Sequence, residues 1–498
     1  MVFSVNLLLA SLTGVLLASA FPYPSISLLA WVGLVPLFSA LKRSDFRHAP
    51  LLGLLAGATF FATVLYWINI FGYIAWISLS LALSGAFVLF ATASWLVMKR
   101  YAGTGKFIVI PSLWAVFEFA RSLGPWGFAW AYLGSTVEHP FFLGVASYVG
   151  EVGLGALIIL GNLVLFSLID GEGLRGRLRQ AAPGIAVGAV LLVLMSLYGQ
   201  TASALLTPNV LDGKSPVVRA AIIQPNLAQD LKADLTNNDA IKALYIAMTE
   251  EALKAEPELI IWPESTLITR IDDEPEFLER VAKLLRPTET ALVFGGVEGV
   301  EDRIHNTAFY LDADSRLHRY RKIHLVPFGE YMPMRPLVER INSMAALVND
   351  YTPGREYKVF EMGGSRRFST VICFESSQSG LVGRMVREGA KFLVIVTNDA
   401  WFGKTAAAEQ HFRITRMRAA EYGIPIVQAA NTGISGFINA DGIVDKRSGL
   451  DKRIVLSDAA VLSGGATLYT KIGFIFPYIY LLVAGVGLAL TTRRGENA

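Results

Sequence analysis

The sequence predicts two joined fold classes: a membrane α-helical bundle of about eight transmembrane helices, and an α/β domain inserted before the last of them. Three observations carry this. Hydrophobic residues form 53% of the 498-residue chain and charged residues only 17%, a balance that a water-soluble protein of this length does not keep. Apolar stretches close to the ~20 residues needed to cross a bilayer as helix recur up to about residue 204. Short β-branched runs then alternate with longer helical patterns up to about residue 465, and a last apolar stretch follows.

The spans are expected near 3–20, 24–41, 50–70, 73–98, 107–121, 141–169, 184–200 and 472–490. Loops on the cytoplasmic side collect Lys and Arg, and every second loop here is basic. "KRSDFRH" holds Lys42, Arg43 and Arg47; "KRYAGTGK" holds Lys99, Arg100 and Lys106; "EGLRGRLRQ" holds Arg175, Arg177 and Arg179; the tail holds Arg493 and Arg494. "FPYP" and "NIFGY" hold none, and the loop after residue 120 holds only Arg121. The pattern places the N-terminus inside, residues 205–465 outside, and the C-terminal tail inside again. Ala18-Ser19-Ala20 resembles a signal-peptidase site, but the start "MVFSVN" lacks the basic region of a signal peptide, which favours a retained helix. Glu118 and Glu151 fall within apolar spans, where an ionisable group is costly; Arg121, about one turn from Glu118, is expected to pair with it.

The domain organisation expected is therefore residues 1–204 as helices 1–7, a linker at 205–216 containing "TPNVLDGKSP", an α/β domain at 217–465, and a final helix with its tail at 466–498. The α/β runs are "VVRAAIIQPN", "ELIIWPES", "ALVFGGVE", "FSTVICFES", "KFLVIVTNDAW" and "IPIVQAANTG", separated by patterns such as "DAIKALYIAMTEEALKAE". Alternation of this kind implies a largely buried sheet with polar chemistry at strand ends.

The single cysteine, Cys373, excludes an internal disulfide and a cysteine-built metal site. Six histidines without ligand spacing and a net charge of +3 give no case for a metal, a cofactor or nucleic acid. Three strand ends carry reactive types: Glu264 closes "IIWPES", Lys322 and Glu330 sit in "YRKIHLVPFGE", and Cys373 sits in "VICFES". They are too far apart in sequence for one helix face, so only a fold that gathers strand ends unites them. A thiol is mostly protonated near neutrality and only its thiolate attacks carbonyl carbon well. Glu264 can take that proton, and Lys322 with the backbone N–H of Phe374 can hold the charge that develops on the carbonyl oxygen. A helix beginning near Ser377 would add its dipole. Taken singly, each signal also fits a core cysteine, a turn carboxylate or a solvated lysine.

The motifs "WPES", "RKIHLVPFGEY" and "VICFES" resemble those of the nitrilase superfamily, and "IIQPN" and "TNDAWF" resemble its first and later strands. With the multi-span region in front and one span behind, the whole chain resembles the apolipoprotein N-acyltransferase family. The resemblance implies a nitrilase-like αββα sandwich, periplasmic on a bacterial inner membrane, with a cytoplasmic C-terminus. It implies a ping-pong reaction in which Cys373 takes an acyl chain from a phospholipid and passes it to the α-amino group of an apolipoprotein's S-diacylglyceryl cysteine. Glu264 carries over as base, Lys322 as oxyanion stabiliser and Cys373 as nucleophile. Asn306, in "HNTAFY", and Glu330 match supporting positions, and Glu375 reads as a site-shaping carboxylate. Three positions depart from the family pattern: Ala233 where an aromatic is common, Phe374 where Tyr is common, and Gly473-Phe474 following "TLY" where a Gly-Asp pair is common. A monomer is expected.

Segment 330–351, "EYMPMRPLVERINSMAALVNDY", is either a core helix or a mobile arm that covers the acyl chain. "RSLGPWGFAWAYLG", 121–134, has the aromatic and glycine content of an outer interface. Two other functions remain open on the residues alone. A membrane-tethered amidase that hydrolyses a small amide would use the same trio, and a transporter or scaffold would need more paired polar residues within its spans than this chain has.

Overall fold

A computed structural model describes residues 2–101, 103–206, 216–229, 231–267, 269–333, 335–341, 350–364, 366–462 and 467–493. Most of the expected linker, 207–215, and the middle of segment 330–351, residues 342–349, lie outside the described residues. The chain divides into two compact units. One comprises Met1–Thr207, Thr405–Gln410 and Lys471–Ala498, the other Pro208–Lys404 and His411–Thr470.

The first unit is helical. Among the described residues, four helices are long and apolar enough to cross a membrane: Tyr73–Arg100, Pro140–Asp170, Gly173–Leu197 and Leu468–Thr491. Shorter apolar helical stretches cover Phe3–Ser19, Ser27–Lys42 and Ala49–Val64, and a further helix covers Lys106–Ala120. Helix Ala49–Val64 packs closely on Tyr73–Arg100 because Gly53 and Gly57 face it; a Cβ on Gly57 would lie 2.8 Å from Phe87 Cβ. Small residues let helix backbones approach where no hydrophobic effect drives association.

The stretch 24–41, expected as one span, is broken. A 3-10 turn at Ser27–Trp31 is followed by a separate helix, Val35–Lys42, with Pro36 in its first turn. Proline has no N–H and its fixed φ suits a helix start, so the chain restarts there. The break frees backbone groups that an apolar medium cannot satisfy. Asn162, fully buried in helix Pro140–Asp170, supplies both partners. Its Oδ1 accepts from the N–H of Leu34 at 2.8 Å and its Nδ2 donates to the carbonyl of Ala30 at 2.8 Å. Thr13 Oγ1 accepts from the N–H of Leu37 at 3.0 Å.

The expected Glu118–Arg121 pair is not formed. Glu118 accepts from the N–H of Leu133 at 2.9 Å, while Arg121 donates to the carbonyl of Trp130 at 3.1 Å and lies over the rings of Phe61 and Tyr132. The N–H of Leu133 and the carbonyl of Trp130, backbone groups of one short loop, thus draw the two side chains to separate partners.

The second unit holds two six-stranded sheets with orders β12-β1-β2-β3-β4-β5 and β11-β10-β9-β8-β7-β6. The strands are β1 Val217–Gln224, β2 Leu259–Ile261, β3 Ala291–Val300, β4 Arg303–Leu311, β5 Leu317–Arg321, β6 Phe360–Glu361, β7 Arg367–Ile372, β8 Phe392–Thr397, β9 Ile426–Ala430, β10 Gly436–Ile438, β11 Val444–Arg447 and β12 Ile454–Val461. Alternation along β1 builds the layers. Ala220 and Ile222 join a core shared with Val371, Leu393 and Ile395 of the other sheet. Ala221 and Ile223 face the opposite way, onto Ile241 and Tyr245 of helix Asn238–Leu253 and Val281 of helix Pro275–Leu285. Strands β7, β8 and β9 run parallel, with crossover helices Ser379–Arg387 and Ala407–Tyr422 between them, and β8 is buried throughout. Burial on both faces is why these strands read as unbroken apolar runs.

Replacing Asn162 by Leu leaves the Leu34 N–H and Ala30 carbonyl without partners in apolar surroundings. The variant is expected to lose at least about 2 kcal/mol, read as a lower unfolding midpoint in detergent. A midpoint equal to that of the unmutated protein would contradict the assignment.

Candidate active site

Parallel strand order brings distant residues to one end of the second unit. Glu264 follows β2, Lys322 follows β5, Cys373 follows β7, and Asn398 and Asp399 follow β8. Gly295 on β3 is needed for this approach, because a Cβ there would lie 2.6 Å from Glu264 Cα.

Lys322 is 1% exposed and its ammonium sits between two carboxylates, 2.9 Å from Glu330 Oε1 and 3.8 Å from Glu264 Oε1. Asn306 on β4 bridges the same two oxygens, its Nδ2 donating to Glu264 at 2.8 Å and to Glu330 at 2.6 Å. Each carboxylate has a backbone donor as well: the N–H of Asn398 to Glu264 Oε2 at 2.9 Å, and the N–H of Val326 to Glu330 Oε2 at 2.8 Å. Burial pushes Glu264 above the usual carboxylate range, and the negative charge of Glu330 adds to this, while Lys322, Asn306 and the Asn398 N–H pull it down. Burial alone would lower the Lys322 ammonium, but Glu330 and Glu264 more than offset it and hold Lys322 above its ordinary value.

Cys373 is buried at the start of a 3-10 turn, Cys373–Ser377, with φ +50°. The helix expected near Ser377 begins at Ser379, so this turn intervenes. A left-handed conformation costs a non-glycine residue about 1–3 kcal/mol, so the elbow must be held by its surroundings. Glu375 does much of this. Fully buried, it accepts from Tyr320 Oη, from the N–H groups of Ile323 and His324 at 2.7 and 3.0 Å, and from the N–H of Ile372 at 3.0 Å. One carboxylate thus fastens the segment carrying Lys322 to the strand end carrying Cys373. Burial raises its pKa, against the pull of Lys322 and these N–H groups. Phe374 stacks on His324 at 5.9 Å between ring centroids.

Burial pushes the Cys373 thiol well above its ordinary value, and the carboxylates of Glu264 and Asp399 push it further; Lys322 and a hydrogen bond from Thr397 oppose them. At rest this thiol is protonated, so reaction needs a base that takes its proton during attack.

The carbon-nitrogen hydrolase family matches residues 219–461, and the apolipoprotein N-acyltransferase N-terminal domain matches residues 13–164. A curated relative from Geobacter metallireducens, named apolipoprotein N-acyltransferase, is 36% identical over 98% of this chain and 95% of its own length. The relative of that name from Chlorobaculum tepidum is 28% identical over 95% of this chain and 94% of its own, and that from Allorhizobium ampelinum 30% identical over 69% and 65%. This chain belongs to the apolipoprotein N-acyltransferase family. The shared architecture includes the helical half as well as the α/β half, a combination that a stand-alone carbon-nitrogen hydrolase lacks.

Several residues at this acyltransferase-family site were not singled out from sequence. Lys232, buried in "AQDLKAD", donates to the Ser265 carbonyl at 2.7 Å beside Glu264, and burial lowers its pKa to about 8 against the raising effect of Glu264. Thr397, Asn398 and Asp399 carry a local signal, a polar cluster closing the apolar run "FLVIV". His411, whose Nδ1 lies 3.0 Å from Asp399 Oδ1, stands in the middle of a helix with no such signal.

Glu375→Gln replaces one acceptor oxygen by an amide that points N–H toward N–H or O–H. The substitution is expected to destabilise the unit by about 2–4 kcal/mol, with a clear drop in Tm. An unchanged Tm would remove Glu375 from the role of clamp.

Proposed function

We propose that this protein transfers a fatty acyl chain from a phospholipid to the α-amino group of an apolipoprotein's S-diacylglyceryl cysteine, through a thioester on Cys373. The observation that carries the reading is the carboxylate–ammonium pair at the ends of β2 and β5, acting electrostatically on the lone thiol, in a chain whose helical half matches the acyltransferase N-terminal domain.

Glu264 is the general base. The tight ion pair of Lys322 is spent on Glu330, which leaves Glu264 at 3.8 Å, held in place by Asn306 and the Asn398 N–H but not fully neutralised. As the Cys373 sulfur attacks the ester carbonyl, Glu264 takes the thiol proton. Lys322 and the N–H of Phe374 take the charge that grows on the carbonyl oxygen. The C–O bond then breaks, the lysophospholipid oxygen receives the proton from Glu264, and the thioester remains. In the second half the acceptor amine attacks the thioester carbon and gives its proton to Glu264, the C–S bond breaks as the amide forms, and the proton passes from Glu264 to the sulfur. Asn306, Glu330 and Glu375 hold this frame without entering the bonds.

A lipid donor suits the loops around these residues. Phe328 is 58% exposed between Lys322 and Glu330, Trp401 52% exposed just past Asp399, and Leu231 and Leu235 flank Lys232 with 45% and 65% exposure. Segment 330–351 is tied at its base, where the N–H of Tyr351 donates to the Glu330 carbonyl at 2.8 Å and Arg335 pairs with Asp350 at 2.6 Å. We read it as an arm over the acyl chain. Eight crossings with residues 1–204 as the first seven, a linker at 205–216, a periplasmic domain at 217–465 and a returning helix at 466–498 in a bacterial inner membrane follow from the basic loops. The acting species is taken as a monomer.

Incubation with phospholipid should add a fatty-acyl mass to Cys373, and Cys373→Ala should abolish both adduct and transfer. Transfer by the Ala variant would end the proposal. Glu264→Gln and Lys322→Ala are each expected to cut acylation by about 100-fold or more while the fold is kept, checked by rapid quench. Because Glu264 must be ionised to act and burial raises its pKa, the rate of acylation should climb with pH through a midpoint above the ordinary 4.5 of a glutamate. A pH-independent rate down to that value would contradict Glu264 as base.

A further inference from the structure

The Cys373 elbow is bracketed on both sides. Before the sulfur, Glu375 holds the N–H of Ile372. After it, the ring of His411 approaches the Cys373 carbonyl, with Nε2 at 3.2 Å from that oxygen and 2.8 Å from Ser376 Oγ. The other ring nitrogen, Nδ1, lies 3.0 Å from Asp399 Oδ1. Asp399 Oδ1 also accepts from Thr397 Oγ1 at 2.9 Å. The chain of contacts thus runs from the Cys373 carbonyl through His411 and Asp399 to Thr397 at the end of β8. His411, Asp399, Thr397 and Ser376 are all buried, so none of these bonds competes with solvent. Gly433 packs directly against the Asp399 carboxylate, where any Cβ would collide with it, which fixes the carboxylate's position.

A peptide group is planar and trans, so its carbonyl and its N–H point in opposite directions. The carbonyl that His411 holds belongs to the same peptide as the N–H of Phe374. Anchoring one therefore aims the other. Donation at Nε2 to the carbonyl and at Nδ1 to the carboxylate uses both ring N–H groups, so the ring in this role is the imidazolium, balanced by Asp399 at 3.0 Å, and Asp399 sets its orientation.

We propose that His411, oriented by Asp399, is a positioning residue that fixes the Cys373–Phe374 peptide plane so that the Phe374 N–H faces the oxygen of the reacting carbonyl. The role rests on the acyl-transfer reading above. His411 touches no reacting atom in it; its effect passes through the backbone. The ring also holds Ser376 Oγ, so the rest of the turn is kept in register with the peptide.

Two reactions of the same sulfur separate this role from a merely structural one. Acylation by a phospholipid ester builds negative charge on a carbonyl oxygen, whereas alkylation by iodoacetamide displaces iodide from a saturated carbon and builds none. His411→Leu is expected to lower the kcat of acyl-enzyme formation by about 100-fold, the loss typical of a missing oxyanion donor, with KM little changed. Alkylation of Cys373 by iodoacetamide in the same variant should stay within about threefold of the unmutated rate, because that step lacks the oxyanion. His411→Gln places an amide donor near the position of Nε2 and should restore most of the acylation. Acylation at the full rate in the Leu variant overturns the positioning role alone, as does a parallel fall of alkylation and acylation. If the Leu variant does not fold, Asp399→Asn carries the test: it should lower acylation kcat, and an unchanged kcat overturns the role. Failure of the unmutated protein to form any phospholipid-derived adduct on Cys373 overturns the acyl-transfer reading, and this role with it.

Discussion

The α/β unit is organised around one buried ammonium. Lys322 is 1% exposed, and removing such a charge from water costs several kcal/mol unless close partners replace the solvent. Two carboxylates do so, and each of them must in turn be held. Asn306 donates to both, and backbone N–H groups of Val326 and Asn398 complete their shells. These partners come from β4 and from the loops after β5 and β8, so the cluster ties the ends of both sheets together. The clash that any side chain at Gly295 would cause with Glu264 is part of the same requirement.

The cluster also divides labour between two chemically identical carboxylates. In the proposed mechanism, had Lys322 paired most closely with Glu264, that carboxylate would have been pulled toward the ordinary range and weakened as a base. Glu330 takes the shorter contact, 2.9 Å against 3.8 Å, and its negative charge raises Glu264 instead. A buried thiol with a raised pKa needs a base raised in the same sense, since proton transfer is efficient when donor and acceptor are matched. The same surroundings that make Cys373 a poor acid at rest therefore make Glu264 able to accept its proton.

Glu264 and Cys373 were legible in the sequence because each closes a short β-branched run, and strand ends are where a parallel sheet exposes polar groups; Lys322 follows the polar strand "LHRYR" and stood out only within its own motif. The layers were legible for a related reason: β8 is buried on both faces and reads as an unbroken apolar run. Asn306 and Glu375 were reached only through motif resemblance, since nothing local marks them, and Glu330, visible beside Lys322 in one motif, took its supporting role from the same resemblance. The donors that surround Glu375 come from Tyr320, Ile323 and His324, far away in sequence, and no spacing rule reveals such a clamp. Hydropathy read 24–41 as one span because it scores side chains and is blind to a backbone break whose compensation, Asn162, lies on another helix. Helical spacing paired Glu118 with Arg121 for the same reason: it counts side chains on one face and misses the backbone groups of a nearby loop, the Leu133 N–H and the Trp130 carbonyl, that take the two side chains.

A single cysteine facing an oxidising outer compartment, as in the topology proposed above, has to meet two opposed demands. Oxidation selects exposed, low-pKa thiolates, and so does nucleophilic attack. Permanent activation by Lys322 or a helix dipole would satisfy the second demand and fail the first. Here the thiol is buried, the carboxylates of Glu264 and Asp399 hold it protonated, and the cation beside it is committed to Glu330. In the proposed reaction nucleophilicity then appears only when a carbonyl carbon arrives and the proton can pass to Glu264 as the new bond forms. For that to work on arrival, the geometry must be complete beforehand. A left-handed Cys373 gripped by Glu375 on one side and His411 on the other meets this condition, because little is left to rearrange except the proton itself.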